Sequence, residues 1–438
     1  MKFERYDSYK DIEVDWLEEI PKEWQINKIK QSCSLVRDGT HGSFRRVEVG
    51  YPLLSVRNIK NSVIEFLSDD SFISEKDYKL IASSFKIKKG DLQLAIIGAT
   101  MGKVAIVSKM KPFVTQRSLA TVRSRNWIIN NKYLFYFFQS KYFHNLIWNT
   151  TSFSAQPGIY LTMLQNIFTP LPTIKIQNEI VNYLDTKTQK IDKEISILEQ
   201  KIEKYKELKQ TLISETVLKG LDKNAELRNS QIEWIGDIPK YWRVKRIEDI
   251  AKILNGYAFS SDSNVSIGIN VIKMSNLKNG KVIITDNNHK NIEDITLKRF
   301  LLKENDILLG LSGSIENYAL VKKDILPAYL NQRVCSIKAT KNDINKFLFY
   351  VIQSKYYKEQ IIANVTGTTI TNLSSYIIQK SFISMPPYDE QVKIANYLDE
   401  KTSKIDSIVE IIGKKIEVLK EFRKTLINDV VTGKVKVA

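Results

Sequence analysis

Residues 177–220 read QNEIVNYLDTKTQKIDKEISILEQKIEKYKELKQTLISETVLKG, and this stretch decides the fold because the chain contains it twice. The second copy begins at Gln391 and ends near Gly433. An ungapped comparison of residues 177–217 with 391–431 gives 21 identities in 41 positions, which include the segments NYLD, KT and KID. Similarity of this length at a fixed offset indicates an internal duplication.

Apolar residues recur in both copies with the spacing of a coiled coil. One row repeats every seven residues and a second row lies three or four residues from it, which predicts a helix with a narrow apolar seam. The predicted seam consists of Leu184, Ile191, Ile195, Leu198, Ile202, Tyr205 and Leu212 in the first copy and Leu398, Ile405, Val409, Ile412, Ile416, Leu419 and Leu426 in the second. Each seam needs a partner helix.

The other copy is the nearest candidate for that partner, because two near-identical seams in one chain are self-complementary. Each helix would have about 40 residues and extend roughly 60 Å, which is long for an element of an ordinary domain. The alternative is two separate amphipathic helices, each packed on its own domain. Gly220 and Gly433 are predicted to end the two helices.

The duplication extends beyond the helices. DWLEEIPKEWQINKIK at 15–30 is similar to EWIGDIPKYWRVKRIE at 233–248, and NKYLFYFFQSKYF from Asn131 is similar to NKFLFYVIQSKYY from Asn345. Predicted short strands such as YPLLSVRNI and INVIKMSNL, with helices near these aromatic segments, make each domain a mixed α+β domain. The aromatic segment itself is predicted to be a core face rather than a base-stacking platform.

The chain is therefore predicted to be a tandem duplication of a variable domain followed by a long helix. The predicted boundaries are 1–172 for the first domain, 173–221 for the first helix, 222–387 for the second domain and 388–438 for the second helix.

Composition narrows the class of protein. A chain of 438 residues with 43% apolar content can build two or three globular cores. It contains no run of eighteen apolar residues and its first residues are polar, which favours a cytoplasmic protein without a membrane span or signal peptide. Cys33 and Cys335 are predicted to be reduced core thiols, and the three histidines (His41, His144 and His289) lack metal-ligand spacing.

The net charge of +17 is carried by the domains. Residues 1–170 contain 24 basic and 16 acidic residues and 221–388 contain 23 and 16, whereas 171–220 and 389–438 contain 9 against 8 and 10 against 9. This distribution suggests that the globular parts face a polyanion and the helices face protein. A merely soluble basic protein is the alternative.

Two segments resemble catalytic motifs only superficially. GATMGK at 98–103 has three residues between its glycines and Val104 after its lysine, whereas a phosphate-binding loop needs four residues and then Ser or Thr. MPPY at 385–388 is similar to the Pro-Pro-Tyr element of adenine methyltransferases, but Met385 replaces the required polar residue. No S-adenosylmethionine loop and no acid cluster for metal-assisted cleavage is evident, so catalysis by this chain is not expected.

The order of parts, the IP-x-x-W motif at Ile20 and Ile238 and the NYLD-x-KT-x-KID helices resemble the specificity subunit of type I restriction-modification enzymes. The resemblance covers essentially the whole chain and rests on architecture and the repeated helix. It implies an α+β fold in which two tandem mixed α/β target recognition domains are joined and spaced by two long antiparallel coiled-coil helices, with a pseudo-two-fold internal duplication. In that family each recognition domain reads one half of a split DNA sequence.

The resemblance also implies partners. These are double-stranded DNA, two adenine-N6 methyltransferase (modification) subunits and, in the full complex, two restriction and translocase subunits. S-adenosylmethionine, ATP and Mg are expected on those subunits, with no cofactor on this chain. A pseudo-two-fold would let one partner dock beside each domain, and the two half-sites would be unlike and roughly 10 base pairs apart, with the helices as a ruler.

Polar loops supply the candidate DNA contacts, because phosphates are bound by Lys and Arg and base edges by Arg, Lys, Asn, Gln, Ser and Thr. In the first domain they are Arg37, Thr40, His41, Ser43, Arg45, Arg46, Arg57, Asn58, Gln116, Arg117, Thr151, Ser154 and Gln156. In the second they are Asn255, Tyr257, Ser260, Ser261, Lys273, Asn276, Gln332, Arg333, Thr366, Thr368 and Thr369. The pairs Gln116-Arg117 and Gln332-Arg333 are predicted to be equivalent. A solvated loop is the ordinary alternative for each residue.

Two other functions stay open at this point. A self-contained DNA methyltransferase or nuclease would methylate or cleave DNA without partner subunits. A coiled-coil scaffold with non-specific DNA binding would show salt-sensitive binding without any sequence preference.

Overall fold

A computed structural model describes residues 4–14, 17–151, 157–260, 268–284, 289–290, 295–312, 315–341, 344–364 and 373–437. The chain divides into two compact units: unit 1 comprises Met1–Glu199 and Lys414–Ala438, and unit 2 comprises Gln200–Gly413. Both boundaries fall inside a long helix, at positions that correspond in the two copies. Each unit therefore contains one mixed domain and one half of each long helix.

Unit 1 begins with short strands and ends its domain with three helices and a strand. Its elements in chain order are β1 (Tyr9–Val14), β2 (Leu17–Pro21), β3 (Gln25–Lys28), α1 (Ile29–Ser32), β4 (Cys33–Asp38), β5 (Tyr51–Leu54), β6 (Ile59–Lys60), β7 (Val63–Ile64), β8 (Ser71–Ile73), α2 (Glu75–Ser84), β9 (Leu92–Ala95), β10 (Val104–Ile106), β11 (Val114–Thr115), β12 (Leu119–Ser124), α3 (Asn131–Phe138), α4 (Lys141–Thr150), α5 (Leu161–Asn166), β13 (Phe168–Leu171) and the long helix α6 (Ile174–Lys219).

Two small sheets form the centre of this domain. One is antiparallel with the order β10-β9-β12-β4, and the other has the order β11-β5-β8 with β11 parallel to β5. Strand β9 (LQLA) is buried along its whole length, and Leu54, Ala95, Phe113 and Leu119 belong to one apolar cluster. Burial of these side chains is the main favourable term that holds the two sheets together.

Unit 2 repeats this plan. Its elements are β14 (Leu227–Asn229), β15 (Asp237–Pro239), β16 (Arg243–Arg246), α7 (Ile247–Ile250), β17 (Ala251–Asn255), β18 (Ile269–Ile272), β19 (Leu277–Lys278), β20 (Lys281–Val282), β21 (His289–Lys290), β22 (Ile307–Gly310), β23 (Tyr318–Leu320), β24 (Ala328–Leu330), β25 (Val334–Ala339), α8 (Asn345–Gln353), α9 (Lys355–Ala363), α10 (Ser375–Lys380), β26 (Phe382–Met385) and the long helix α11 (Tyr388–Val431). Its sheets have the orders β23-β22-β25-β17 and β24-β18-β21, which match unit 1 strand for strand.

Side-chain hydrogen bonds are duplicated as well. Tyr136 Oη donates to Asp185 Oδ1 at 2.8 Å in unit 1, and Tyr350 Oη donates to Asp399 Oδ1 at 2.7 Å in unit 2. Burial raises the pKa of both phenols, so they stay neutral donors. The predicted internal duplication is confirmed at the level of individual contacts.

The start of each long helix is fixed by a glutamine. Gln177 Nε2 donates to Pro172 O at 2.8 Å, and Gln391 Nε2 donates to Pro386 O at 2.7 Å. The MPPY segment thus connects the end of β26 to the start of α11. At the other ends, Gly220 and Gly433 adopt φ of 75° and 78°, which confirms them as helix stops.

The two long helices contact each other within each unit. In unit 1, Arg423 Nε lies 2.9 Å from Asp192 Oδ1 and Lys415 Nζ lies 2.7 Å from Glu194 Oε1. Residue numbers therefore increase along α6 in the direction in which they decrease along α11. In unit 2, Lys209 Nζ lies 2.7 Å from Asp406 Oδ1, and this pair is the duplicate of Arg423 and Asp192. The helices are antiparallel, and the alternative of two separate helices is wrong.

Seam positions on both helices are shielded from water to different degrees. The buried ones are Leu184, Ile191, Ile195, Leu398, Ile405, Ile412, Ile416 and Leu426, and the half-buried ones are Leu198, Ile202, Tyr205, Leu212, Val409 and Leu419.

The aromatic segment forms helices α3 and α4, and its side chains pack in the core of the domain. Tyr133, Phe137, Phe138 and Phe143 have no exposed surface, which confirms the predicted core role. Cys33 and Cys335 are free and buried, as predicted, and burial raises the pKa of each thiol to about 12. Across the described ranges, none of the helices is both long enough and apolar enough to cross a membrane.

Candidate nucleic-acid interface

Several loops of unit 1 meet where three strands end or begin. Leu119 at the start of β12 pairs with Ala95 at the end of β9, and Ala120 pairs with Asp38 at the end of β4. Gln116 N donates to Leu54 O at 2.8 Å, and Gly98 N donates to Pro157 O at 2.8 Å. Residues 37–46, 55–58, 96–103, 116–118 and 157–160 therefore lie at one edge, which we call loop edge 1.

Unit 2 has a corresponding edge. Tyr257 N donates to Leu330 O at 2.9 Å, and Leu373 N donates to Leu311 O at 2.7 Å. Asn331 N donates to Ile272 O at 3.2 Å, which places the turn after β18 beside them. We call residues 255–260, 273–276, 311–312, 315–317, 331–333 and 373–376 loop edge 2.

A glycine makes each edge possible. A Cβ on Gly39 would lie 2.2 Å from Thr115 O, and a Cβ on Gly256 would lie 2.0 Å from Asn331 O. Only glycine lets two backbone segments cross at this distance. The crossing brings the loop after β4 or β17 against the turn before β12 or β25.

Backbone hydrogen bonds at the crossing correct one sequence prediction. Thr40 O accepts from Arg117 N at 3.1 Å, and Tyr257 O accepts from Gln332 N at 2.9 Å. Arg117 is therefore equivalent to Gln332, and Gln116 is equivalent to Asn331. The predicted equivalence of Gln116-Arg117 with Gln332-Arg333 is wrong by one residue, because the loops between the segments that match in the two copies differ in length.

Most candidates of the first domain lie on loop edge 1 and are exposed. Exposed side chains are Arg37, His41, Ser43, Arg45, Arg46, Arg57 and Arg117, while Thr40, Gln116 and Thr151 are half-buried. Arg37 is held by Ser84 O, and Arg57 pairs with Asp69 and Asp70. Thr151 Oγ1 donates to Trp148 O. Ser154 and Gln156 lie outside the described residues.

The candidates of the second domain are similarly gathered. Asn255, Tyr257, Ser260, Gln332 and Arg333 are exposed, and Lys273 is half-buried. Asn255 Nδ2 donates to Ser375 Oγ at 3.2 Å, which joins the end of β17 to the start of α10. Ser261, Thr366, Thr368 and Thr369 fall in segments that the structure does not describe.

Asn58 and Asn276 are buried and act inside the domains. Asn58 Oδ1 accepts from Ser55 N at 2.9 Å and its amide donates to Glu65 O at 3.0 Å. Asn276 makes the same two bonds, to Lys273 N at 2.8 Å and Ile283 O at 2.9 Å. Both side chains close a turn and face the interior of their domain.

Three exposed residues of the edges were not singled out from the sequence. Lys103 lies in the GATMGK segment, in which the sequence indicated only an imperfect phosphate loop. Tyr160 is 81% exposed at the start of α5, and Tyr376 is 63% exposed at the equivalent helix α10. For the two tyrosines, the sequence signal that could have identified them was an isolated tyrosine outside the core aromatic segment.

The chemistry of both edges suits binding rather than catalysis. Their side chains are mainly Arg, Lys, Asn, Gln, Ser, Thr and Tyr, which donate hydrogen bonds to phosphates and base edges. Among the residues described, no group of three or more His, Cys, Asp or Glu is arranged to hold a metal ion.

Two copies of one mixed domain, each with a polar loop edge and a share of one helical pair, define a duplicated two-domain protein with two candidate binding edges. The chain belongs to the family described as type I restriction modification DNA specificity domain, which matches residues 21–204 and 239–421. It is thus a specificity subunit with two recognition domains, and its part in the enzyme is targeting.

Relatives support this assignment along the whole chain. The type I restriction enzyme MjaVIII specificity subunit of Methanocaldococcus jannaschii is 25% identical over 427 residues, covering 95% of this chain and 94% of the relative. The EcoBI specificity subunit of Escherichia coli is 28% identical over 211 residues, covering 48% of this chain and 42% of the relative.

A solved structure shares the fold. It is described as "Structural basis underlying complex assembly and conformational transition of the type I R-M system" and aligns with a TM-score of 0.70 at 14% identity, covering 95% of this chain and 99% of that chain. The predicted family, fold class and function are confirmed.

Proposed function

We propose that loop edge 1 and loop edge 2 each read one half of a bipartite double-stranded DNA target. The recognition domains are residues 1–172 and 222–387, and the helices at 173–221 and 388–438 set their spacing. The carrying observation is that one backbone crossing, at Gly39 and Gly256, presents different side chains in the two units. A fixed frame with variable loops is what two readers of unlike half-sites require.

The proposal is tested by mapping methylated adenines in a genome with and without this chain. One bipartite sequence is expected to lose methylation when the chain is removed. Gln332→Ala with Arg333→Ala should relax one half-site only, and Arg45→Ala with Arg46→Ala should relax the other. Lys22→Ala with Lys30→Ala, exposed residues outside the edges, should leave both halves unchanged. Relaxation of both halves by either edge variant would contradict separate readers.

We propose further that the chain works in the cytoplasm with two modification subunits and, in the restricting complex, two restriction and translocase subunits. S-adenosylmethionine, ATP and Mg belong to those subunits. The helices support such docking, because they expose large apolar side chains at duplicated positions. Ile197 corresponds to Ile411 and Leu208 corresponds to Phe422 at the offset of the repeat.

Each unit has its own part of this apolar surface. In unit 1, Ile197, Val418 and Phe422 are 53%, 66% and 42% exposed. In unit 2, Leu208, Ile408 and Ile411 are 52%, 36% and 66% exposed. Each of them stands one residue before a position of the seam spacing, so they share one flank of their helix. Exposed apolar residues in register on a helix are typical of a covered surface.

Docking is tested by copurification with the modification subunit. Ile197→Asp with Ile411→Asp should abolish copurification while leaving the melting temperature of the chain unchanged, since both side chains are mostly exposed. Gln200→Asp with Ser407→Asp, at exposed positions of the same helices away from this flank, serves as the charge-change control. Retention of the partner by the double aspartate variant would contradict docking on this flank.

A further inference from the structure

The two loop edges differ sharply in charge. Loop edge 1 contains six basic residues and one acidic residue, Asp38; the basic residues are Arg37, Arg45, Arg46, Arg57, Lys103 and Arg117. Loop edge 2 contains two basic residues, Lys273 and Arg333, and one acidic residue, Glu316. The charges of the two edges can be compared directly because the same backbone crossing positions the loops in both units.

The cations of edge 1 are available to a ligand. Arg45, Lys103 and Arg117 are exposed, and no acidic side chain pairs with any of them in the described part of the chain. Arg46 donates through Nη1 to the carbonyl of Phe44, at 3.0 Å. An unpaired arginine on a loop costs little desolvation when it meets a phosphate, and it also fits the O6 and N7 atoms of guanine.

Edge 2 offers uncharged chemistry at the same places. Tyr257 replaces Thr40 and is 41% exposed, and Gln332 replaces Arg117 and is exposed. Tyr376 on α10 adds an aromatic face, and Asn255 beside it adds an amide. Amides read adenine in the major groove, and neither an amide nor a tyrosine ring neutralises a phosphate, so neither releases counterions.

We infer that the two units hold their half-sites by different chemistry, an inference that rests on the proposed function. Unit 1 binds through cationic contacts to phosphates and guanine and carries most of the salt-dependent affinity. Unit 2 binds through amide, hydroxyl and aromatic contacts to base edges and carries little of it. The half-site of unit 1 is accordingly richer in G·C pairs, and that of unit 2 is richer in A·T pairs.

The test measures the affinity of the full chain for a labelled random-sequence duplex as a function of salt. Arg45→Gln, Lys103→Gln and Arg117→Gln together should reduce the slope of log affinity against log salt by about 2 to 3, since each phosphate contact contributes about 0.9. Between about 50 and 200 mM salt the wild-type chain then loses roughly 40-fold more affinity than this variant.

Two further variants make the result specific. Lys10→Gln, Lys22→Gln and Lys30→Gln remove the same charge from exposed positions of unit 1 away from loop edge 1 and should leave the slope unchanged. Tyr257→Ala with Gln332→Ala removes no charge from loop edge 2 and should leave the slope unchanged. An unchanged slope in the loop edge 1 variant, or an equal fall in either of the other variants, would overturn the inference.

The outcome is separable from that of the proposed function. Methylation mapping reports whether each unit reads one half-site, whereas the salt slope reports the chemistry of contact. A bipartite target with slopes that do not distinguish the two edges overturns only the inference. Absence of binding to the duplex at every salt concentration overturns both.

Discussion

At the scale of single residues, two equivalent tryptophans show how the duplicated copies have diverged. Trp242 is buried, and its Nε1 donates to Glu390 Oε2 at 3.1 Å. Trp24 is equally buried, and its Nε1 has no hydrogen-bond partner among the described residues. The Tyr6 ring packs edge-on against the Trp24 ring, with 5.5 Å between the ring centroids. The position that corresponds to Glu390 in the first copy is Ile176.

Glu390→Ala should destabilise unit 2 by about 1–3 kcal/mol, because a buried indole donor loses its acceptor. Glu390→Gln keeps an acceptor and should lose less. Thermal melting and denaturant unfolding of the full chain measure the difference. Equal melting of both variants and the wild type would show that this bond does not contribute to stability.

The candidate site was predictable at this scale only in part. Polar loops near Arg45 and Gln332 were identified because Arg and Gln are the residue types that read DNA. Asn58 and Asn276 also belong to the residue types that read DNA, yet each is buried because its amide closes a turn. A sequence does not reveal whether a polar residue faces inward. Tyr160 was missed because tyrosine is equally common in cores.

At the scale of elements, the long helices were the most predictable part of the chain. Their seven-residue apolar spacing follows from helix geometry alone, and α6 and α11 begin and end where the prolines and glycines of the sequence indicate. The correspondence between the loops of the two copies was less predictable, since loop lengths differ between the copies. Arg117 therefore corresponds to Gln332 and not to the residue after it.

Gly413→Ala should stabilise the chain by about 1 kcal/mol, because Gly413 lies inside α11 and glycine costs that amount in a helix interior. A Cβ on Gly413 would meet no atom within 4 Å among the described residues, so alanine creates no clash there. Unfolding in denaturant checks this, with Gly433→Ala as the contrasting variant. Gly433 has φ of 78°, and a Cβ on it would lie 2.4 Å from Pro21 Cδ, so alanine there should destabilise the chain.

At the scale of the whole molecule, each long helix is shared between two compact units. The sequence predicted the internal duplication, and matching sheet orders and hydrogen bonds confirm it. It did not predict that each unit contains one half of each helix. Which bases each unit contacts did not follow from sequence, because base contacts depend on the path of loops whose residues differ between the copies.

Insertion of one helical turn in each copy, after Gln200 and after Lys414, tests the proposed ruler. A turn adds about 6 Å, so the unread spacer in the methylated sequence should lengthen by roughly one to two base pairs while both half-sites stay the same. Methylation mapping gives the new spacer. A spacer of unchanged length would contradict the ruler, and an insertion in one copy alone should reduce stability by breaking the match of the two seams.

The glycine crossings have a consequence for retargeting. Gly39 and Gly256 let two backbone segments cross through main-chain atoms only. The crossing therefore does not depend on which side chains follow in the loop. Under the proposed function, exchange of these loop residues would give a new DNA target on an unaltered framework.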